Sequence, residues 1–259
     1  MIYNYKDWVV RSPATISTLN RLLSQYYMTR NRTVPKNPTK KKTNDGCVIR
    51  FARESGKFQR IGHLDYTMFY PNIVHGLKLN PAADELRSYS HVVHVLLKNI
   101  NHTNWKEKKK IKSLLTKMCS GYLNCEDFIF RDSVMHRKVL LYGSKILRQA
   151  INIVDEDPRF KLLTANTDGC HIECLENNNI QRHFKELADN INNTVNKPFL
   201  KIRVKEIWTN IHIFNTLKYH TYNYYSGDSQ FKGMHDFLYN FHSKMQEEDK
   251  HVGHNSTYN

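Results

Sequence analysis

A hairpin signal constrains this chain most. Two short apolar runs, residues 160–163 and 170–175, flank a polar stretch at 164–169 that contains the dipeptide Asp168-Gly169. Strand-like runs joined by an Asp-Gly turn predict a β-hairpin. Farther upstream, residues 58–65 alternate as a strand and end on a second carboxylate, Asp65. Residues 47–52 predict a strand before it, with the turn Glu54-Ser55-Gly56-Lys57 between the two. A chain with these strands must build a sheet and cover at least one face of it.

The cover comes from helical periodicity. Residues 13–28 predict a helix with Ile16, Leu19, Leu22, Leu23 and Tyr26 at helical spacing, capped by Thr15 or Ser17. Residues 68–75 open a helix after the second strand. Residues 81–100 and 105–123 predict two helices around a polar break at 101–104, which reads as a helical hairpin. Residues 134–154 and 180–195 are also helical. Strands follow at 200–207 and 211–223, and residues 230–233 continue the sheet after a turn at Ser226-Gly227-Asp228. The class is therefore α/β, and no internal repeat appears.

The chain has 259 residues and a net charge of +15, with a pI near 9.5. An excess of this size calls for a polyanionic partner: DNA, RNA or an acidic surface. Residues 29–45 form a basic loop ending in Lys40-Lys41-Lys42, suited to phosphate or to a nuclear address. No apolar run reaches the roughly 20 residues of a membrane span, and residues 1–8 lack a signal-peptide core. These features predict an intracellular protein with no membrane partner. Five cysteines without an export signal argue against a disulfide framework. Cys170, His171 and Cys174 read either as zinc ligands without a second ligand pair or as packed strand residues.

Asp65 and Asp168 carry the chemistry. Two-metal phosphoryl transfer needs carboxylates on rigid elements, holding ions about 3.5–4 Å apart. A strand end and a hairpin tip can present such a pair. Either aspartate alone reads more simply as a cap or turn residue.

In these contexts the chain resembles the family B DNA polymerases, especially small bacteriophage, viral and mobile-element members. Asp65-Tyr66-Thr67-Met68-Phe69-Tyr70-Pro71 is similar to the family's DxxSLYP motif, with Met68 for Ser and Phe69 for Leu. Asn166-Thr167-Asp168-Gly169 resembles its DTDS motif in an NTDG form. The resemblance implies a right-hand polymerase palm sheet with a short helical fingers hairpin. It divides the chain into residues 1–80 (N-terminal helix, basic loop and first palm strands), 81–124 (fingers), 125–234 (palm and primer grip) and 235–259 (polar tail). An exonuclease domain and a full thumb are expected to be absent.

The same resemblance assigns metal binding to Asp65, Asp168 and the backbone carbonyl of Tyr66, with two Mg²⁺ ions, or Mn²⁺, as cofactor. It assigns dNTP binding to Thr67, Met68, Phe69 and Tyr70, with Tyr70 as the ring that excludes a 2′-hydroxyl. The KxxxNSxYG motif is degraded here. Counting back from Gly121, its Lys position falls on Ser113 and its Asn position on Lys117. Lys109, Lys112 and, on the facing helix, Lys98 are the candidate triphosphate contacts, with His94 where the family has Arg. Residues 106–112 otherwise read as a solvated charged face. Lys218-Tyr219 resembles the family's KxY element and Lys232-Gly233 its KG element. With Thr167, Gly121 and Tyr122 they are the expected DNA contacts.

The implied reaction is template-directed addition of dNMP to a primer 3′-hydroxyl. The implied partners are primer-template DNA, dNTPs and a separate exonuclease or thumb polypeptide, in the host cell of a virus or mobile element. Two alternatives stay open: a non-catalytic or split replication subunit that binds DNA, and an unrelated basic nucleic-acid-binding domain.

Overall fold

The computed structural model describes residues 15–35, 48–215, 218–222 and 229–232. Within them lie six α-helices and seven strands: α1 (Ile16–Met28), β1 (Arg50–Ala52), β2 (Gly56–Tyr66), α2 (Phe69–Gly76), α3 (Ser88–Asn99), α4 (Trp105–Cys119), α5 (Ser133–Glu156), β3 (Phe160–Asn166), β4 (Gly169–Cys174), α6 (Ile180–Val195), β5 (Ile202–Asn215), β6 (Lys218–Tyr222) and β7 (Ser229–Lys232). None of the helices is long and apolar enough to cross a membrane. The chain divides into two compact units. One comprises the described residues within 1–48, 66–146 and 197–201; the other comprises those within 49–65, 147–196 and 202–259.

The second unit holds the sheet, in the order β1-β3-β4-β2-β5-β6-β7. The pairs β1–β3, β3–β4, β2–β4, β5–β6 and β6–β7 are antiparallel. Directly opposed residues share a face of the sheet. On one face Gly62 opposes Ile172, Leu64 opposes Cys170, and Phe160 opposes Cys174. Helix α6 covers that face with Phe184, Leu187, Ala188, Ile191 and Val195, a stripe at helical spacing. The fit at Gly62 is close: a Cβ there would lie 2.5 Å from the Phe184 ring. Asn192 pins α6 to β5, donating to the Ile202 carbonyl at 3.0 Å and accepting from the Ile202 N–H at 2.9 Å. The other face of β2 carries Ile61, His63 and Asp65, by the alternation of a strand. Ile61 packs there with Phe58, Leu163, Trp208, Ile211 and Ile213.

The first unit is helical. Asp84, 2% exposed, organises the entry to α3. Its carboxylate accepts from the Tyr27 hydroxyl (2.8 Å), the Ser88 N–H and hydroxyl (3.1 and 3.0 Å) and the Tyr89 N–H (2.7 Å). Burial pushes the Tyr27 phenol up to about 12. This anchor explains a difference from the sequence pattern. The helix expected from residue 81 begins at Ser88, because the chain from Pro81 to Arg87 turns to bring Asp84 onto the first turn's N–H groups.

Other boundaries also differ. Thr15 is the cap of α1, accepting from the Thr18 N–H. The strand expected at 47–52 is described from Arg50, and Cys47 lies outside the described residues. The two strands expected at 200–207 and 211–223 are instead one long β5, with Asn210 buried in it, followed by the separate β6. Residues 226–228 and 235–259 lie outside the described residues.

Candidate active site

Strand register brings the two aspartates into one neighbourhood. Asp65 is directly opposite Gly169, and Gly169 is the residue after Asp168. The hairpin closes with Asn166 opposite Gly169, so Thr167 and Asp168 form its tip. The turn therefore sits one residue earlier than the Asp-Gly signal suggests, and Gly169 already belongs to β4. Its lack of a side chain serves close approach of two strands. A Cβ on Gly169 would lie 2.6 Å from the Leu64 carbonyl oxygen and 3.1 Å from Asp65 Oδ1.

The tip is tightly made. Thr167 adopts φ +54°, a left-handed conformation that a β-branched residue rarely takes. Its hydroxyl donates to Asp168 Oδ1 at 2.8 Å, and the Asp168 N–H reaches the Asn166 carbonyl at 2.6 Å. The Thr167 N–H donates to Ile49 ahead of β1, which anchors the tip from the far side. Strain held this firmly is a feature of functional sites.

Asp65, Asp168, Asn166, His63, His171 and Lys205 are among the residues lining one cavity of about 250 Å³. The His63 and His171 rings stack at 4.6 Å, and Thr164 Oγ1 lies 2.9 Å from His171 Nδ1. Lys205, from β5, places its Nζ 3.5 Å from Asp65 Oδ2. Sequence reasoning missed Lys205 because its position depends on β5 lying beside β2, a long-range pairing. The only local sign was a charged pair, Lys205-Glu206, inside an otherwise strand-like run.

Cys170 and His171 are adjacent on β4 and so point to opposite faces of the sheet. Burial, followed by the charge of Asp65, pushes the Cys170 thiol up to about 12, and burial raises Cys174 as well. Packed thiols facing away from the histidine favour strand packing over zinc ligation. Among the described residues, no group of three or more His, Cys, Asp or Glu could hold a metal ion. The two aspartates fit a different pattern. Mg²⁺ takes hard oxygen donors and is commonly held by one or two carboxylates, with water and substrate phosphates completing its shell. A cavity open at a hairpin tip, with two carboxylates on it, has that donor set.

The segment after Asp65 belongs to the helical unit. The Thr67 N–H donates to the Lys201 carbonyl at 3.0 Å, and the Asn72 amide returns to the Thr67 carbonyl at 2.8 Å. Met68 starts α2 in a left-handed conformation, φ +49°. Tyr66 and Phe69 rings stack at 4.6 Å. Tyr70 is 8% exposed, and its ring packs so closely on α5 that a Cβ at Gly143 would lie 3.2 Å from it. His94 of α3 meets His75 of α2, ring to ring at 5.0 Å, and Lys98 lies exposed one turn farther along α3. Lys109 and Lys112 are exposed on α4 with Lys106. Gly121 opens a short 3₁₀ turn with no atom within 4 Å of an added Cβ, and burial raises the Tyr122 phenol. Lys218 and Tyr219 lie on β6, with Tyr219 opposite Lys232 of β7. Gly233 lies outside the described residues.

No family model matches the chain, and no curated protein matches it. Its fold is similar to that of the family B DNA polymerase from the hyperthermophilic archaeon Pyrobaculum calidifontis, with a TM-score of 0.62 over 85% of this chain at 12% identity. The match spans 33% of that protein, so the chain corresponds to about a third of its length. The likeness shows a shared partial polymerase fold.

Proposed function

We propose that this chain is the core of a template-directed DNA polymerase, transferring dNMP from a dNTP to a primer 3′-hydroxyl. The observation that carries the reading is the register that sets Asp65 opposite Gly169, beside Asp168, on one cavity. The partial likeness to a family B DNA polymerase supports it. In this reading Asp65, Asp168 and the Tyr66 carbonyl hold two Mg²⁺ ions. Such ions lower the pKa of an attacking hydroxyl and neutralise the charge that develops on the phosphates.

The chain's own residues do the rest. The backbone from Thr67 to Phe69 cradles the triphosphate, and its anchors to Lys201 and Asn72 keep that segment from shifting as the nucleotide enters. Tyr70, fixed by burial, stands beside the sugar. Lys98, Lys109 and Lys112 offer charge to the triphosphate. Lys218, Tyr219, Lys232, Gly233, Thr167, Gly121 and Tyr122 contact the primer-template. Primer-template DNA and dNTPs are the partners this reading requires.

Primer extension with Mg²⁺ tests this. The wild-type chain should extend, and Asp65→Asn and Asp168→Asn should each lower the rate by at least about 10²-fold, as loss of a transition-state charge contact does. Extension by both variants at the wild-type rate would reject the assignment. One observation favours a second reading, a non-catalytic DNA-binding replication subunit: Lys205 already offers Asp65 a positive charge. Salt-sensitive DNA binding without any extension would select it.

A further inference from the structure

The site contains a cation of its own. Lys205 Nζ lies 3.5 Å from Asp65 Oδ2, while Asp65 Oδ1 is the oxygen turned toward Gly169 and the hairpin. The two oxygens of Asp65 thus face different neighbours. Any divalent ion drawing on Oδ2 meets the lysine ammonium at the same lone pairs. The contact is built into the sheet, because β5 lies next to β2 and Lys205 lines the same cavity as Asp65 and Asp168.

We propose that Lys205 is a tethered competitor for the divalent cation at Asp65, and that it sets the metal affinity of the site. The inference rests on the polymerase reading of Asp65 and Asp168. A lysine suits the task. Its ammonium is a compact charge on a flexible four-carbon stem, so it can neutralise a carboxylate and still withdraw. The exposures agree: the Lys205 side chain is 52% exposed and that of Asp65 is 26% exposed. Solvent screens a pair of this kind, so the ammonium competes with a divalent ion and does not exclude it. Two carboxylates facing a double positive charge attract more strongly than one facing a single charge, but the ion must first displace the lysine and shed part of its own water.

The test is Mn²⁺ binding, read by the loss of the free-ion electron paramagnetic resonance signal, on wild type, Lys205→Met, Lys205→Arg and Asp65→Asn. Circular dichroism confirms the fold of each. Lys205→Met keeps the length of the stem and removes the charge; it should bind Mn²⁺ about tenfold more tightly, a change of about 1.4 kcal/mol. Lys205→Arg should remain near wild type. Raising the salt concentration should narrow the gap between wild type and Lys205→Met, because screening weakens the ammonium first. Unchanged or weaker binding by Lys205→Met, with Asp65→Asn still weakening binding, would overturn the proposal and leave the metal-site reading in place. Binding indifferent to Asp65→Asn in every background would reject the metal site itself, and the proposal with it.

Discussion

Gly169→Ala probes the site at its tightest point. The new Cβ would lie 2.6 Å from the Leu64 carbonyl oxygen, about 0.8 Å inside the 3.4 Å at which ordinary contact begins. It would also sit 3.1 Å from Asp65 Oδ1 and 3.2 Å from Asp65 Cα. The first obstacle is backbone, which no rotamer change can move, so β2 and β4 must part at the point where they hold the two aspartates. Overpacking of this kind costs roughly 1–3 kcal/mol. A displacement near 1 Å in a catalytic constellation costs about 10²-fold in rate. Urea unfolding and primer extension measure the two effects separately, and extension should suffer the more. Gly121→Ala is the control for the unfolding measurement alone, because nothing lies within 4 Å of its added Cβ. A Gly169→Ala protein with the wild-type midpoint and the wild-type extension rate would refute the close-approach argument.

Three further outcomes follow from the same structure. Asp84→Ala should destabilise the helical unit by about 3 kcal/mol, since it strands the Tyr27 hydroxyl and the Ser88 and Tyr89 N–H groups in a buried place; a change under about 0.5 kcal/mol by urea unfolding would contradict the anchor. Asp157 is held below the usual carboxylate range, first by the Arg159 side-chain hydrogen bond. Its stabilisation is therefore present above about pH 4 and is lost as pH falls through the depressed folded value, so Asp157→Asn should flatten the acid limb of the stability curve and leave its shape above pH 6 unchanged. Tyr70→Ala removes a buried ring at a cost of about 3 kcal/mol; at temperatures where the variant stays folded it should keep dNTP use and gain rNTP use in primer extension, and an unchanged preference would remove the gate assignment.

What the sequence disclosed was mostly local. The β3–β4 hairpin and the carboxylate at the end of β2 could be read because turn residues and strand alternation act over a few positions. That residues 180–195 form a helix was legible for the same reason. The turn centre moved one residue because Gly169 is there for strand approach and does not occupy the turn itself. The start of α3 moved because a buried aspartate outweighed a plausible helical period. The expected gap at residues 208–210 is continuous strand, because Asn210 is paired opposite Tyr222 and a polar residue paired in a sheet can sit inside one strand. Lys205 was out of reach. Nothing near it in sequence indicates that β5 borders β2, and only that pairing brings its ammonium to Asp65. The exposed lysines of α4 show the converse. Their charge is plain in the sequence, but a solvated face and a phosphate-binding face have the same composition.

Crystals grown with Mn²⁺ and measured at the manganese absorption edge show whether Asp65 and Asp168 share a divalent ion. Anomalous density is expected in contact with both Asp65 and Asp168, from one ion or from two about 3.5–4 Å apart. Lys205 is expected to have left Asp65 Oδ2. Anomalous density elsewhere, or carboxylates more than about 8 Å apart, beyond the span of two such ions, would contradict it.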